Sequence, residues 1–302
     1  MDMSSITQIL TQDGLINPPS FLPTNVHFEV MMGSIAYGTT QDTSDVDIYG
    51  FCIPPKEMIF PHLAGEIIGF GRQKKRFEQF QQHHIDVKSH RKIYDITIFN
   101  IVRYFTLCME NNPNCIDSLF VPQTCIVHCT AVGNWVRENR KLFLHKGSWF
   151  KFKGYSYSQL HKMGIKTPEI GSKRAELVEK FGFDVKFAFH VVRLLYEAEM
   201  ILKEGDLDLQ RHREHLKAIR RGEVSEKDIR QWASEKELAL EKVYETSTLR
   251  HSPDEDALKN LLLQCLEMHY GSLDKCLSNP NVPIVVLREI QAILDKNRNI
   301  YA

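Results

Sequence analysis

Two aspartates, Asp45 and Asp47, stand two positions apart in this sequence. Apolar and polar residues alternate over residues 45–53, which predicts a β-strand, and residues at i and i+2 of a strand share one face. Two carboxylates held side by side repel each other unless a cation lies near them. Mg²⁺ prefers carboxylate and phosphate oxygens, with Mn²⁺ as an alternative. The pair therefore predicts a site for two ions about 4 Å apart, one activating an attacking oxygen and one steadying a triphosphate.

A Gly-Ser pair, Gly33 and Ser34, follows a second predicted strand at residues 26–32. Glycine lets the backbone approach a phosphate closely, and a helix start offers free N–H groups. The segment GSIAYGTTQDTS leaves room only for a turn and a short helix before the next strand. This order places a phosphate-binding turn and the aspartate pair at one edge of a sheet. The Gly-Ser pair or the aspartate pair alone is more often an ordinary surface feature, but the two together favour a nucleotide site.

A third carboxylate normally completes such a site, and Asp86 and Asp95 are the candidates. Asp95 lies in KIYDITIFN, whose aromatic and β-branched residues suit a buried strand. We therefore prefer Asp95 and keep Asp86 as the alternative. Asp95 is also the expected general base, within hydrogen-bond reach of the attacking hydroxyl. The glycine patterns of P-loop and dinucleotide-binding proteins are absent from the sequence.

The bulk composition sets limits on partners and compartment. Lys plus Arg equals Asp plus Glu at 38 each, so no overall field attracts nucleic acid or an anionic membrane. The basic runs at residues 72–76 and 211–221 are expected to be solvated faces, and they are also the first places to seek an RNA path. No apolar run reaches the length of about 20 residues that crosses a bilayer, and no secretory signal is recognisable. A cytoplasmic protein is expected, without a membrane partner.

The seven cysteines are scattered and too sparse for a disulfide framework, so we expect reduced thiols. Cys125, His128 and Cys129 superficially resemble a zinc site. They lack the second pair of ligands at the usual spacing, so a zinc site is not expected.

The pattern of hydrophobic residues changes near residue 125. Strands are expected at residues 26–32 and 45–53, with one or two more within residues 84–99 and short helices at 4–12 and 100–110. Six later segments have apolar residues at helical spacing: 131–143, 175–179, 184–204, 225–244, 253–268 and 282–296. The sequence thus predicts an α+β fold, with a mixed sheet and flanking helices in residues 1–125 and an all-helical domain in residues 126–302.

The stretch GSIAYGTTQDTSDVDIYGF resembles the signature of the DNA polymerase beta nucleotidyltransferase superfamily. It is most similar to a branch of predicted nucleotidyltransferases that is linked to RNA repair and common in bacteria and their phages. The resemblance extends over residues 26–220 through three further segments: YDITIFNIVRYFTLCMENNPNCIDSLFVP, FKGYSYSQLHKM and KRAELVEKFGFDVKFAFHVVRLLYEAEMIL.

The resemblance implies a role for each matching residue of the first domain. Gly33 and Ser34 would bind the triphosphate, Asp45 and Asp47 would bind the two metal ions, and Asp95 would be the third acid. It further implies that the helical second domain closes over the nucleotide, with the helix GFDVKFAFHVVRL facing the cleft.

Three basic side chains, Lys186, His190 and Arg193, share one face of that helix because they are spaced by four and three residues. Lys186 and Arg193 would clamp the triphosphate and offset charge on the leaving pyrophosphate. The alternative is that both pair with acids such as Asp184 and Glu197 on a solvated helix. His190 is expected to be a buried structural histidine.

Two further residues of the cleft, Tyr155 and Gln159, are expected from the segment GYSYSQL.

The resemblance also implies an activity: transfer of a nucleoside monophosphate from a nucleoside triphosphate to an acceptor hydroxyl, with release of pyrophosphate. An RNA 3′ end, such as that of a damaged tRNA, is the preferred acceptor because of the branch's link to RNA repair. Members of the superfamily also modify protein side chains or small hydroxylated molecules, so these acceptors stay open. A hypothesis of a different class is a catalytically idle module that binds nucleotide or RNA.

Overall fold

The computed structural model describes residues 4–40, 45–60, 76–88, 92–165, 173–271 and 290. One mixed sheet of five strands, in the order β3-β4-β2-β1-β5, organises the first part of the chain. The strands are β1 Val26–Met31, β2 Val46–Cys52, β3 Gln79–Val87, β4 Lys92–Asn100 and β5 Ile126–Cys129.

The central pair of the sheet, β2 and β4, is parallel, whereas β1–β2, β1–β5 and β3–β4 are antiparallel. A parallel pair requires a crossover connection, and here the chain between β2 and β4 includes the edge strand β3. Both central strands are rich in β-branched and aromatic residues and are largely buried, with Ile48, Phe51, Ile96 and Ile98 fully enclosed.

Helices make up most of the remaining described chain. They are α1 Ile6–Gln12, α2 Leu22–Asn25, α3 Lys56–Ile59, α4 Ile101–Met109, α5 Pro113–Phe120, α6 Ala131–Glu138, α7 Ser148–Ile165, α8 Lys173–Phe181, α9 Val185–Glu204, α10 Arg213–Arg220, α11 Glu226–Thr246 and α12 Glu255–Tyr270. Several begin at the side chains that suit a helix start. Asn100 accepts from the Val102 N–H, Thr130 from the Gly133 N–H, and Ser225 from the Asp228 N–H.

The long helix α9 forms the centre of the helical part. Asp184 caps its start by accepting from the N–H groups of Lys186 and Phe187, and Gly205 ends it in the left-handed conformation, at φ 58°. Its side chains are buried on most sides, because α7, α10 and α11 all pack against it. A helix this enclosed can carry charged residues only where they are paired or reach an opening.

Several predicted elements differ in the structure. The short helix predicted between β1 and β2 is wrong: residues 33–38 form hydrogen-bonded turns. The helix predicted over 131–143 ends at Glu138 and continues as a 3-10 turn at Arg140–Phe143. The helices α5, α7 and α10 and the strand β5 have no counterpart among the predicted elements. The helix predicted over 282–296 lies outside the described residues, apart from Ile290.

The contacts divide the chain into two compact units. The described parts of residues 1–54 and 78–269 form one unit, and those of residues 55–77 and 270–302 form the other, where Lys56 lies over the Tyr270 ring. The site described below belongs to the first unit. The division into domains at residues 125 and 126 stays a prediction. Within the described ranges, no helix combines the length and the apolar character needed to cross a membrane.

Candidate functional site

Asp47 and Asp95 are direct neighbours across the central parallel strands, since the register of β2 and β4 pairs their Cα atoms. Burial raises the pKa of Asp47, the nearby Asp95 and Asp45 raise it further, and Lys186 opposes them. Each of these residues was predicted to belong to the site. Two acids and one cation therefore act on the charge of Asp47, which is the second residue of β2.

Gly33 lies directly against the carboxylate of Asp47. Its φ is +64°, in the region that favours glycine, and a Cβ added there would overlap Asp47 Oδ2. The backbone is held close as well, because the Met32 N–H donates to the Asp47 carbonyl at 2.7 Å. A glycine was predicted here for approach to a phosphate, and the structure adds a second requirement, which is space for the aspartate.

The segment after Gly33 is a compact turn that replaces the predicted helix. Tyr37 N–H donates to Gly33 O at 3.3 Å, and Thr39 N–H donates to Ser34 O at 2.8 Å. The N–H groups of Ser34, Ile35 and Ala36 donate to no residue that the structure describes. Like the first N–H groups of a helix, such successive donors suit an anion. The turn therefore offers N–H groups of the kind that a helix start was expected to provide, and phosphate binding stays a prediction.

Side chains from the helical part hold this turn in place. Tyr37 OH donates to Asp117 Oδ2 on α5 at 2.6 Å, and Arg193 of α9 contacts both groups. Gln210 Nε2 donates to the Ala36 carbonyl at 3.2 Å. Arg220 of α10 donates to the Thr39 carbonyl at 3.1 Å. The conformation of the turn therefore depends on elements far away in sequence.

Arg193 is buried among these partners, with 5% of its surface exposed. Burial opposes its charge, but Glu197, Tyr37 and Asp117 together raise its pKa above the usual value. Arg193 Nη1 lies 3.6 Å from Glu197 Oε1. The alternative prediction named this acid as the partner of Arg193, but it placed the pair on a solvated helix, whereas both side chains are buried. A direct contact between Arg193 and a nucleotide stays a prediction.

Lys186 differs from Arg193 because its side chain is exposed and acts on Asp47. Asp184, the acid proposed as its partner, instead pairs with Arg174 Nε at 3.1 Å and accepts from the Lys186 backbone. His190 is largely buried. Burial lowers its pKa well below the usual value, and Arg193, Lys186, Arg174 and Arg220 lower it further. Four cations thus surround the start of α9, which suits a triphosphate.

A β-bulge on the edge strand β3 places two histidines beside Asp95. The register with β4 shifts between Gln82 and Ile85, and His84 has a φ of 55°. The His84 N–H donates to Asp95 Oδ1 at 2.8 Å, and His83 Nδ1 lies 3.3 Å from Asp95 Oδ2. This contact was not predicted, although the sequence contains a signal for it: two adjacent histidines interrupt the alternation of the strand.

Asp86, the alternative third acid, is exposed on β3 and pairs in register with Ile93. Asp95, by contrast, is the cross-strand neighbour of Asp47. Which of the two would bind a metal ion stays a prediction, and proximity favours Asp95.

Tyr155 acts electrostatically on Tyr49, which shares a strand face with Asp47. Burial raises the pKa of Tyr49 to about 12, with smaller contributions from Cys115, Asp47 and Tyr155. Tyr155 is exposed on α7, and its hydroxyl accepts from Asn112 Nδ2 at 3.3 Å. Tyr49 was not predicted, although its i+2 spacing from Asp47 indicated the shared face. Gln159 lies one turn further along α7 and is half-buried.

The donor set at the site suits a hard divalent cation. Asp45, Asp47 and Asp95 offer only carboxylate oxygens, and their mutual repulsion raises the pKa of Asp47 beyond the effect of burial. Over the described ranges, no three His, Cys, Asp or Glu side chains already form a group that could hold a metal ion. The carboxylates suit magnesium by their chemistry, and binding of the ion stays a prediction.

Comparison with known proteins places this geometry in a family. The model of the RNA repair pathway DNA polymerase beta family, RlaP, matches residues 8–264. The match covers both the acidic sheet edge and the helices that hold the turn.

Among curated proteins, an uncharacterized 38.9 kDa protein of Enterobacteria phage T4 is 24% identical over 144 residues. The alignment covers 47% of this chain and only 40% of the phage protein. Among solved structures, a nucleotidyltransferase-like protein from Exiguobacterium sibiricum 255-15 aligns over 90% of this chain and 75% of its own, at 11% identity and a TM-score of 0.29.

Proposed function

The chain belongs to the RNA repair pathway DNA polymerase beta family, and on this premise we propose that it transfers a nucleoside monophosphate from a nucleoside triphosphate to an acceptor hydroxyl, releasing pyrophosphate. One observation carries the proposal. Asp47 and Asp95 stand in register on adjacent parallel strands, with Gly33 against the carboxylate of Asp47. Paired acids suit a polyanion only if a cation accompanies it, and the N–H groups of the adjoining turn have no acceptor within the described part of the chain.

The described residues divide the work of an in-line displacement at the α-phosphate. The turn at Gly33 and Ser34 binds phosphate oxygens through its N–H groups, and Lys186 offsets the charge of the leaving pyrophosphate. Asp95 accepts the proton of the attacking hydroxyl, and the N–H of His84 holds its other oxygen. Phosphoryl chemistry chiefly requires that the reactants are positioned and that their charge is neutralised. The turn, Lys186 and Asp95 would together supply both.

Asp45, Asp47 and Asp95 would hold Mg²⁺, or Mn²⁺ in its place. When bound, the two ions supply Lewis-acid stabilisation of the attacking and leaving oxygens. The test by binding is isothermal titration of nucleoside triphosphates with and without Mg²⁺. An idle binding module predicts affinity that is indifferent to the metal, and the proposal predicts affinity that depends on it.

The proposed acceptor is an RNA 3′ end, as the family's description as an RNA repair protein suggests. The decisive experiment incubates the chain with each α-labelled nucleoside triphosphate, Mg²⁺, and a mixed pool of RNA and protein. Label on RNA supports the proposal. Label on protein or on a small hydroxylated molecule would support the proposed reaction but show that the acceptor is not RNA. If no label is transferred under any condition, the proposed reaction is wrong.

A pair of variants separates the proposed chemistry from the fold. The double variant D45N/D47N keeps the size of both side chains and removes the charge, so transfer is expected to fall below detection. D256N is the matched control, because Asp256 is exposed on α12 and is not proposed for the site, and it is expected to retain transfer. Magnesium-dependent transfer by D45N/D47N would sink the proposal.

A further inference from the structure

Helix α7 carries exposed aromatic and basic side chains around about half of its circumference, with Tyr155 and Tyr157, which are two positions apart, on different sides of it. We call the exposed residues Lys151, Tyr155, Tyr157, His161 and Lys162 the α7 surface. The helix spans Ser148–Ile165, and none of its residues is an aspartate or glutamate. Its opposite face is buried, with Phe152, Ser156 and Met163 packed inward. The exposed face is therefore not required for the packing of the helix.

The rings of the α7 surface are unusually accessible. Tyr157 is 66% exposed and Tyr155 is 41% exposed. Tyr157 lies nearly parallel to the His161 ring, with centroids 6.5 Å apart and an angle of 12°. Exposed aromatic rings beside cations are the usual stacking platform for unpaired bases, whereas a duplex hides the faces of its bases.

Hydrogen bonds connect Tyr155 of the α7 surface to the strand that carries Asp47. The Tyr155 hydroxyl accepts from Asn112, whose Oδ1 accepts from the Asn114 N–H at 3.1 Å, and the Asn114 side chain is hydrogen-bonded to Tyr49, two positions after Asp47 on β2. A strand lying on the α7 surface with one end at Tyr155 would therefore end beside the acids.

The basic run at residues 211–221 is a weaker candidate, because its exposed cations have carboxylates close by. Arg211 pairs with Glu204, Lys217 with Glu214 and Arg221 with Glu223. Arg220 donates a hydrogen bond to the Thr39 carbonyl of the turn. These contacts support a solvated face.

The charges on the α7 surface are less neutralised. Lys162 forms no ion pair within 4.0 Å among the residues that the structure describes. Lys151 is 3.4 Å from Glu110, with both side chains about half exposed, so a phosphate can compete for it. Lys153, at the far edge, pairs with Glu241 at 2.8 Å. That acid limits the surface on the side away from Tyr155.

We propose that the α7 surface binds single-stranded RNA and directs its 3′ end towards Asp47. The inference rests on the proposed transfer to an RNA hydroxyl and names the residues that would select that acceptor. Tyr155 and Tyr157 stack on bases, and Lys151 and Lys162 contact phosphates. Because stacking tolerates every base, the surface selects unpaired ends with little preference for sequence.

The test measures binding without catalysis. Fluorescence anisotropy of a short fluorescein-labelled single-stranded RNA is recorded with the full chain in EDTA and without nucleotide, against the same sequence as a blunt duplex. The unpaired strand is expected to bind more tightly. Y155A and Y157A should each weaken its binding about tenfold. K151A and K162A should each lower the slope of log affinity against log salt by about 0.7.

Two controls keep the outcome specific. K227A and K242A remove exposed lysines from α11 and are expected to leave the affinity for RNA unchanged. Y157F keeps the ring and is expected to bind as the unsubstituted chain does. The inference is overturned if the Y155A/Y157A double variant binds single-stranded RNA as tightly as the unsubstituted chain does, or if the unsubstituted chain does not bind it at all. If RNA binding depends on the α7 surface but the chain transfers no nucleotide, the proposed RNA-binding role of the α7 surface is supported and only the proposed transfer reaction is overturned.

Discussion

Asp47 occupies surroundings that disfavour its own charge. Burial is the largest cause of its raised pKa, and the neighbouring acids Asp95 and Asp45 raise it further. Lys186 and, more weakly, His83 lower it. A group in this situation lowers the stability of the folded chain at neutral pH. Such strain is expected where a protein prepares a place for a cation.

The first prediction follows from this repulsion. D47N removes a charge that the folded state disfavours, so we expect the melting temperature to rise while nucleotidyl transfer is lost. Thermal unfolding in EDTA at neutral pH measures the stability. D86N, on the exposed surface of β3, should leave the melting temperature nearly unchanged. A lower melting temperature for D47N would show that repulsion is not the dominant effect.

The second prediction concerns Gly33. Alanine at this position meets an unfavourable φ and overlaps Asp47 Oδ2, so the aspartate must move. We expect G33A to lower transfer about 100-fold, the usual effect of a displacement of about 1 Å at a reacting centre. G14A is the matched control, because Gly14 has a φ of +68° with open space around it.

Both glycine variants are expected to lose about 1 kcal/mol of stability from the backbone conformation. Only G33A should lose activity. Equal activity of the two variants would show that the position of Asp47 tolerates displacement.

At the scale of elements, the turn after β1 depends on helices that follow much later in the chain. Tyr37 is held by Asp117 of α5 and Arg193 of α9, and the backbone at Ala36 and Thr39 accepts from Gln210 and Arg220. Because the turn is short and contains few of its own hydrogen bonds, these outside contacts determine its shape. Changes in the helical part are therefore expected to alter the turn, whose N–H groups we propose to bind phosphate.

The third prediction tests the buried centre of this arrangement. R193A leaves the carboxylates of Asp117 and Glu197 buried without their cation, so we expect a loss of about 3 to 5 kcal/mol in the free energy of unfolding. Urea unfolding measures it. R221A, which breaks an exposed pair with Glu223, should have little effect. Similar losses in both variants would rule out the buried network as a source of stability.

At the scale of the whole molecule, a histidine pair joins α12 to the sheet. His27 Nε2 lies 2.9 Å from His269 Nδ1, and His27 Nδ1 lies 2.8 Å from Thr130 Oγ1. Burial, together with the smaller effects of His269 and His128, lowers the pKa of His27 from 6.5 to about 3. The folded state therefore keeps this imidazole neutral where the unfolded chain would bind a proton.

The fourth prediction is the resulting pH dependence. Between pH 6.5 and about 3, the unfolded state binds one more proton at His27 than the folded state does, so stability falls as the pH falls through this window. One proton corresponds to a slope of about 1.4 kcal/mol per pH unit. Urea unfolding at several pH values should show a smaller slope for H27Q than for the unsubstituted chain. H251Q, at an exposed histidine, is the control.

The candidate site could largely be identified from the sequence because its parts are local. Gly33, Ser34, Asp45 and Asp47 lie within one short segment, and the alternation of a strand determines which carboxylates share a face. The predicted α+β class is confirmed for the same reason, since periodicity is a local property of the chain. The predicted helix between the strands was wrong because serine, threonine and glycine suit turns and helix starts equally.

The sequence by itself determined the reactive segment, the alternation of the strands and the family resemblance, which all depend on neighbours along the chain. Only the tertiary structure decided that Asp95 is the strand neighbour of Asp47, that a bulge brings His83 to it, and that Arg193 is buried while Lys186 reaches the acids. Strand register and helix burial depend on contacts between residues far apart in sequence. Local periodicity contains no information on those distances.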